Sequence, residues 1–194
     1  MKYFTADTHF SFPGILTKMG RKGFINVPEH DWAILENINS LVSQTDTLYI
    51  LGDFAWSKPD HFRNLINCDN IVFVVGNHDD KDAVTWAFGQ VHDLVEVQLL
   101  NGASSFCTHY PMAFWDKSHK GSFHFYGHMH AQREHYLDSV FPERRSIDVG
   151  IDNAYRLKGR SEPFSEVELL DILGDRKGHD DIQFYTDFRK ATFA

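Results

Sequence analysis

The chain is poor in cysteine, and it has no long hydrophobic run. Its 194 residues include only two cysteines, Cys68 and Cys107, which are too few for a disulfide framework. Both lie in or beside apolar runs, so we expect buried free thiols in a reducing compartment such as the cytoplasm. No apolar stretch approaches the ~20 residues that a membrane-spanning helix needs, and Asp7 comes too early for a signal peptide. These absences favour a cytoplasmic protein with no membrane partner.

Positive charge is also scarce. The chain has 19 Lys and Arg against 27 Asp and Glu, a formal net charge of −8. This balance argues against an extended nucleic-acid-binding surface, which needs basic side chains along the phosphate backbone. It leaves open a phosphate-bearing substrate, because bound metal ions reverse the local sign of charge. The length fits a single domain spanning residues 1–194 with a substantial core.

Short apolar runs alternate with amphipathic stretches in the first half of the chain. The apolar runs predict strands at 2–6, 47–51 and 71–75, and the 3.6-residue periodicity predicts helices at 29–42, 58–66 and 81–88. Residues 10–27 are irregular and rich in glycine and proline. An alternation of strand and helix indicates a parallel sheet with crossover helices.

The second half of the chain predicts further strands and a change of pairing. Strands are expected at 91–100, 104–108, 122–126 and 145–149. Asn101-Gly102 separates the first two and is typical of a hairpin turn, so antiparallel pairing should begin there. A helix is expected at 164–173, with Ser165 as its cap. Residues 174–194 mix charges and aromatics and predict no particular element.

Polar side chains that suit metal binding follow several of the predicted strands. The run Val74-Val75-Gly76-Asn77-His78-Asp79 shows the pattern, in which a glycine permits a sharp turn and an amide, an imidazole and a carboxylate follow. In open α/β sheets, ligands bind at the carboxyl ends of the strands. We therefore expect one shared site from the residues at these ends, which are Asp7, His9, Asp53, Asn77, His78, His109, His128 and His130.

This donor set has a definite metal preference. Carboxylate, imidazole and amide oxygen without thiolate suit Mn²⁺, Fe, Zn²⁺ or Ni²⁺ better than Ca²⁺ or Cu(I). There are more candidate ligands than one tetrahedral zinc needs. Two ions about 4 Å apart, sharing one carboxylate, would use them all.

The same residues resemble the five sequence blocks of the calcineurin-like metallophosphoesterases. The blocks occur in the family's order, as Asp7-x-His9, Gly52-Asp53, Gly76-Asn77-His78-Asp79, His109 and Gly127-His128-x-His130. The resemblance implies an α/β fold of the α+β kind, a β-sandwich flanked by helices in four αββα layers, with a dinuclear centre at one edge. The small size and residues 115–122 resemble the compact bacterial and phage phosphoesterases that lack a cap domain.

The resemblance also implies a role for each residue. The first metal would be held by Asp7, His9 and His130, the second by Asn77, His109 and His128, with Asp53 bridging them. His78 and Asp79 are the candidate catalytic residues: His78 would contact the substrate, and Asp79 would orient His78 or support its loop. Mn²⁺ is the preferred ion at both positions, with Fe, Zn²⁺, Ni²⁺ or Mg²⁺ as alternatives.

Three residues are candidates for substrate binding. Arg21 lies in a basic, glycine-punctuated segment at 19–23, which is either a solvated loop or an arm that brings Arg21 to a substrate phosphate. Ser118 and His119 lie in the segment that resembles the compact phosphoesterases, and they would line the substrate pocket.

The activity that these features favour is hydrolysis of a phosphodiester, small-molecule or nucleotide-type, by a hydroxide that bridges the two ions. A phosphomonoesterase or nucleotide phosphatase would need the same centre. A non-catalytic scaffold on the same fold and a nuclease remain as further alternatives. A phosphoprotein phosphatase is disfavoured, because Gly52-Asp53-Phe54-Ala55-Trp56 departs from the Gly-Asp-x-Val-Asp-Arg-Gly of those enzymes.

Overall fold

A computed structural model describes residues 1–178, which form strands, helices and one short 3₁₀ turn at Ser118–Lys120. The strands are β1 Lys2–Thr5, β2 Thr47–Leu51, β3 Asn70–Val74, β4 Val91–His92, β5 Leu94–Gln98, β6 Ser104–Thr108, β7 Phe123–Tyr126, β8 Ser146–Asp148 and β9 Phe164–Ser165. The helices are α1 Val27–Leu41, α2 Pro59–Leu65, α3 Lys81–Phe88, α4 Glu134–Val140, α5 Ile151–Lys158 and α6 Glu166–Leu173. The predicted segment 174–194 lies largely outside the described residues.

The strands form two mixed sheets. The first has the order β4-β3-β2-β1-β9, with β1 to β4 parallel and β9 antiparallel to β1. The second has the order β5-β6-β7-β8, with β5 antiparallel to β6 and the others parallel. The predicted crossover sheet and the predicted hairpin at Asn101-Gly102 are both confirmed.

The two sheets pack face to face, and helices cover their outer faces. Phe4 of the first sheet and Phe125 of the second meet edge-to-face, with ring centroids 4.9 Å apart, within one buried cluster. A second cluster places Ile34 and Ile38 of α1 against the opposite face of the first sheet. On the second sheet, Tyr126 alternates with inward-facing Phe125 and hydrogen-bonds to Glu134 of α4. The fold is therefore the α/β sandwich that the sequence predicted.

The segment predicted as one strand at 91–100 is divided between the two sheets. Val91–His92 pairs with β3 in the first sheet, whereas Leu94–Gln98 pairs with β6 in the second. The chain bends at Asp93 and crosses from one layer to the other. An apolar run looks the same in either sheet, so the sequence pattern does not reveal this crossing.

Two helices were missed, and the helix predicted at 164–173 begins later than expected. α4 buries Glu134 at its start, whereas α5 buries Ile151 and Ala154 in the two core clusters. Phe164 and Ser165 form β9, and α6 starts at Glu166 with Ser165 as its N-cap in a capping box with Glu168. Both cysteines are buried free thiols, as predicted. Within residues 1–178, the helices are too short or too polar to cross a membrane.

Candidate metal centre

Loops at the carboxyl ends of β1, β2, β6 and β7 bring six of the predicted ligands into two groups. The first group is Asp7, His9 and His130, and the second is Asp53, His109 and His128. In each group one potential ligand atom from every residue lies within 4.8 Å of the others. The first group is the set that the resemblance assigned to the first metal, and the second joins His109 and His128 with Asp53, the residue that the resemblance assigned as the bridge.

Asp53 lies between the two groups. Its Oδ2 is 3.7 Å from Nε2 of His9 in the first group and 3.5 Å from Nε2 of His109 in the second. Its other oxygen, Oδ1, accepts the backbone N–H of His78 at 2.9 Å. One carboxylate is thus shared between the groups, as a bridging ligand requires.

The first group has the features of a cation site. Oδ1 of Asp7 is buried and has no hydrogen-bond partner among residues 1–178, which is costly for a carboxylate unless a cation satisfies it. The Nε2 atoms of His9 and His130 face each other at 3.4 Å. Nδ1 of His130 lies 2.6 Å from Oδ2 of Asp152, which holds the ring proton on Nδ1 and leaves the Nε2 lone pair directed into the group.

The second group shows the same arrangement. Nδ1 of His109 lies 2.8 Å from the carbonyl oxygen of Leu51, and its Nε2 lies 2.9 Å from Oδ1 of Asn77. Burial opposes protonation of His109, but the hydrogen bond and charge of Asp53 raise its pKa, so a protonated ring donates to both oxygens in the metal-free protein. A cation in place of the Nε2 proton would meet the Nε2 lone pair and the Asn77 oxygen together. Asn77 therefore lies beside the second group, and its role as a metal ligand stays a prediction.

Burial and the interactions between charged groups shift the pKa values of side chains in this cluster. Burial, with added repulsion from Asp148 and Asp53, raises the pKa of Asp7 well above its ordinary value. Burial lowers the pKa of His9 to about 3, so this ring is neutral and able to bind a metal. Burial also opposes ionisation of Asp53, but the hydrogen bond and charge of His109 lower its pKa to about 2. A bound cation would relieve the repulsion between these buried carboxylates.

The backbone adopts left-handed conformations at the ligand positions. φ is 57° at Asp7, 50° at His9, 54° at Asp53, 70° at His128 and 46° at His130. Such values are uncommon outside glycine and cost free energy. Their concentration here indicates that the loops are bent to turn these side chains toward a common point.

Glycines allow the strand ends to approach closely enough for this. A Cβ at Gly127 would lie 2.6 Å from both the Cβ of Ala6 and Oδ2 of Asp7. A Cβ at Gly52 would lie 2.5 Å from Nδ1 of His109, and Gly52 has a φ of +87°. Neither position has room for a side chain, which explains the glycine that precedes the ligands in these blocks.

The two candidate catalytic residues, His78 and Asp79, differ in exposure and in their contacts. The carboxylate of Asp79 accepts backbone N–H groups of Gly76 at 2.7 Å, Asp53 at 2.8 Å and Phe54 at 2.9 Å. These contacts join the loops after β2 and β3 and correspond to the loop-support role, one of the two considered for Asp79. The His78 side chain is exposed, and its ring centroid lies 5.7 Å from that of His9. It thus borders the cluster without belonging to either group.

The substrate-binding candidates are not brought together. Arg21 is buried, and its guanidinium pairs with Asp152 at 2.8 Å and donates to the carbonyl oxygens of Asp7 and Thr8. It also approaches Nε2 of His30 at 3.1 Å. Ser118 is buried in the 3₁₀ turn and His119 is exposed, and within residues 1–178 neither forms a hydrogen bond or ion pair with a candidate ligand. Their predicted contact with substrate stays a prediction.

The sequence reasoning missed two acidic residues beside the centre. Asp152 binds His130 and Arg21, as described, and Asp148 accepts the backbone N–H groups of Ala131 at 2.9 Å and Gly150 at 2.7 Å. Burial raises the pKa of Asp148 to about 6. A signal for Asp152 was present in the run Gly150-Ile151-Asp152, which follows a predicted strand in the manner of Gly52-Asp53.

Comparisons with known proteins show relatives and a shared fold. No protein-family model matches the chain. The uncharacterized protein MJ1445 of Methanocaldococcus jannaschii is 31% identical over 154 residues, covering 77% of this chain and 81% of that protein. A protein of unknown function from Aquifex aeolicus, AQ665, has a similar structure, with a TM-score of 0.71 and 23% identity over 89% of this chain and 98% of the other. This similarity establishes the fold.

A weaker likeness exists to Yfce, a phosphoesterase from E. coli. It has a TM-score of 0.38 and 18% identity, and it covers 66% of this chain and 69% of the other. A TM-score at this level does not establish a common fold, so the functional argument depends on the geometry of the centre.

Proposed function

The chain belongs to the same family as MJ1445 of Methanocaldococcus jannaschii, and from its centre we propose that it is a metal-dependent phosphoesterase. We assign it to the compact, cap-less kind of calcineurin-like metallophosphoesterase. One observation carries the proposal: two groups of carboxylate and imidazole donors share Asp53 at one edge of an α/β sandwich. The five blocks of the sequence resemblance supply these donors in the family's order.

The donors fit two divalent ions. The unpartnered Asp7 oxygen and the facing imidazole nitrogens of His9 and His130 suit a cation in the first group. The facing His109 nitrogen and Asn77 oxygen suit one in the second. Oxygen and imidazole donors without thiolate favour Mn²⁺. Two such ions, when bound, polarise phosphoryl oxygens and lower the pKa of a bound water.

The protein's own residues then orient the metal ligands and supply a proton to the leaving oxygen. Asp152 and the Leu51 carbonyl oxygen hold protons on Nδ1 of His130 and His109, which fixes both rings. His78, anchored through its backbone N–H to Asp53, extends an exposed imidazole beside the centre. From there it stabilises charge on the phosphoryl group or donates a proton to the leaving oxygen.

A phosphodiester is the favoured substrate. A phosphomonoester carries a second negative charge, which calls for an additional cationic side chain. Arg21 was the sequence candidate for that contact, but its guanidinium is engaged by Asp152 and by backbone carbonyls. A phosphodiester carries a single negative charge and does not need this additional cationic side chain.

Metal add-back tests the proposal directly. Metal-stripped protein is assayed on bis-p-nitrophenyl phosphate and p-nitrophenyl phosphate, with Mn²⁺, Ni²⁺, Zn²⁺ or Mg²⁺ added singly. We expect Mn²⁺ or Ni²⁺ to restore turnover, with the diester preferred. A monoester preference would overturn the choice of substrate and keep the phosphoesterase. No turnover with any ion, in protein shown to bind two ions, would overturn the enzyme assignment.

A further inference from the structure

An aromatic pair of exposed Trp56 and half-buried Phe12 borders the centre on the side of His78. The Trp56 ring is centred 4.9 Å from that of Phe12 and 6.0 Å from that of His78. Phe12 in turn lies 6.0 Å from His9 of the first ligand group. Trp56 is 53% exposed, an unusual position for the largest aromatic side chain. The pair therefore offers an open aromatic surface next to the candidate metal ligands.

The backbone holds Trp56 in this place. Its N–H donates to the carbonyl oxygen of Phe10 at 2.8 Å, and the N–H of Phe10 donates to the carbonyl oxygen of Phe54 at 2.9 Å. Phe10 and Ala55 form an isolated parallel bridge. These bonds tie the loop after β1 to the loop after β2, which also carries Asp53. The aromatic surface is thus fixed relative to the ligands.

Other exposed aromatic residues are placed differently. Trp86 on α3 is 84% exposed and makes no ring contact within the described part of the chain. Trp32 donates its indole N–H to Glu36 of the same helix at 2.9 Å. Tyr110 lies edge-on to His128 at 4.7 Å and to His109 at 5.1 Å, so it packs against two candidate ligands. Only Trp56, among these, adjoins the histidine that belongs to neither ligand group.

We propose that Trp56, backed by Phe12, is a stacking site for the base of a nucleotide-type substrate whose phosphate lies at the metal centre. The inference rests on the proposed function and names its substrate class. The His78 ring centroid lies 5.7 Å from that of His9 and 6.0 Å from that of Trp56, so this imidazole adjoins both the first ligand group and the aromatic surface. Stacking on an aromatic side chain accepts any base, because every base has a π face.

A binding comparison isolates the contribution of the base. Adenosine 5′-monophosphate and ribose 5-phosphate are the monoester products that cleavage of a nucleotide-type diester and of its base-free counterpart would release, and they differ only in the base. Both are titrated calorimetrically into Mn²⁺-loaded protein. We expect the nucleotide to bind about ten-fold more tightly or better, the effect of one stacked base. Trp56→Leu should reduce this advantage to less than about three-fold and leave the affinity for ribose 5-phosphate unchanged.

Trp86→Leu is the matched control, because it removes an exposed tryptophan remote from any ring contact. It should keep the full advantage of the nucleotide, and both variants should retain two Mn²⁺ ions. Equal binding of the two ligands to the wild type would overturn the stacking site and leave the phosphate site intact. An undiminished advantage in Trp56→Leu would also overturn it. Binding of neither ligand would overturn this inference, and the diester assay with added metal would then decide separately on the proposed function.

Discussion

Side chains at the centre are oriented by partners that are absent from the ligand pattern. His130 is held by Asp152, His109 by the Leu51 carbonyl oxygen, and the loop of His78 by Asp79. Each partner restricts a ring or a loop to one orientation, so that the donor atoms lie close together before any ion binds. The roles of individual residues can therefore be separated experimentally into metal binding, orientation and proton transfer.

His78 is the residue to which we assign proton transfer. His78→Ala should bind two metal ions as the wild type does, because His78 belongs to neither donor group. Its turnover of bis-p-nitrophenyl phosphate should fall by about a hundred-fold or more, the usual cost of losing a general acid. Metal content and steady-state kinetics measure the two effects. Near wild-type turnover in the fully metallated variant would remove His78 from the mechanism.

Asp152 is the residue to which we assign orientation. Asp152→Asn removes the charge that holds the proton on His130 and that pairs with Arg21. We expect the first Mn²⁺ site to weaken by about ten-fold or more and the second to change little, as for other residues that orient a metal ligand. Titration with Mn²⁺ measures both affinities.

The matched control for that variant is Asp171→Asn on the exposed face of α6, which should leave both sites unchanged. Wild-type affinity at both sites in Asp152→Asn would show that Asp152 has no part in holding His130 for the metal.

Among the secondary-structure elements, α4 is the one that depends most on buried polar contacts. Glu134 at its start accepts the hydroxyl hydrogen bond of Tyr126 and an ion pair from Arg144 at 3.0 Å. Arg144 also donates to Tyr126 at 2.8 Å and pairs with Asp138 of the same helix at 3.0 Å. Because these charges are satisfied within the protein, the short helix docks on β7 without a long apolar face.

Breaking this network should destabilise the whole protein. Arg144→Met leaves Glu134 buried without its cationic partner, and such a loss costs about 3–5 kcal/mol. Urea unfolding followed by circular dichroism measures the change. Arg160→Met is the control, because Arg160 is 73% exposed and its contact with Glu162 is 3.6 Å long. It should cost less than about 1 kcal/mol, and an equal cost for both variants would contradict the role of the network.

For the molecule as a whole, repulsion between the buried carboxylates of the centre destabilises the folded state, and metal binding relieves this repulsion. The chain carries a net charge of −8, and Asp7, Asp53 and Asp148 are all buried at one edge of the sandwich. A cation bound only by the folded state stabilises it by mass action. The metal-free protein should therefore be the less stable form.

Thermal unfolding tests this coupling. Mn²⁺ at about a hundred times its dissociation constant contributes about 2.7 kcal/mol for each site, or roughly 5–10 °C in melting temperature for a chain of this size. Asp53→Asn should show a much smaller rise, because it loses the charge shared by both groups. The same rise in wild type and Asp53→Asn, or two tightly held ions in that variant, would refute the bridging role.

Much of the fold was predictable because it depends on local patterns. The run at 71–75 became β3 with a shift of one residue, and the Asn101-Gly102 turn joined β5 to β6. The division at Asp93 was not predictable, because the pairing partner of a strand is a non-local choice. α4 was missed because buried polar contacts of Glu134 hold it, whereas the apolar face of the short α5 was overlooked in the sequence.

The sequence by itself determined which side chains stand at the strand ends, because strand periodicity and glycine turns act over a few residues. These side chains are those of Asp7, His9, Asp53, Asn77, His109, His128 and His130. Only the tertiary structure decided which residues surround them. Arg21 and Asp152 meet across 131 positions of the chain, and Trp56 reaches His78 from a different loop. Such contacts depend on how the layers pack, which no short window of sequence encodes.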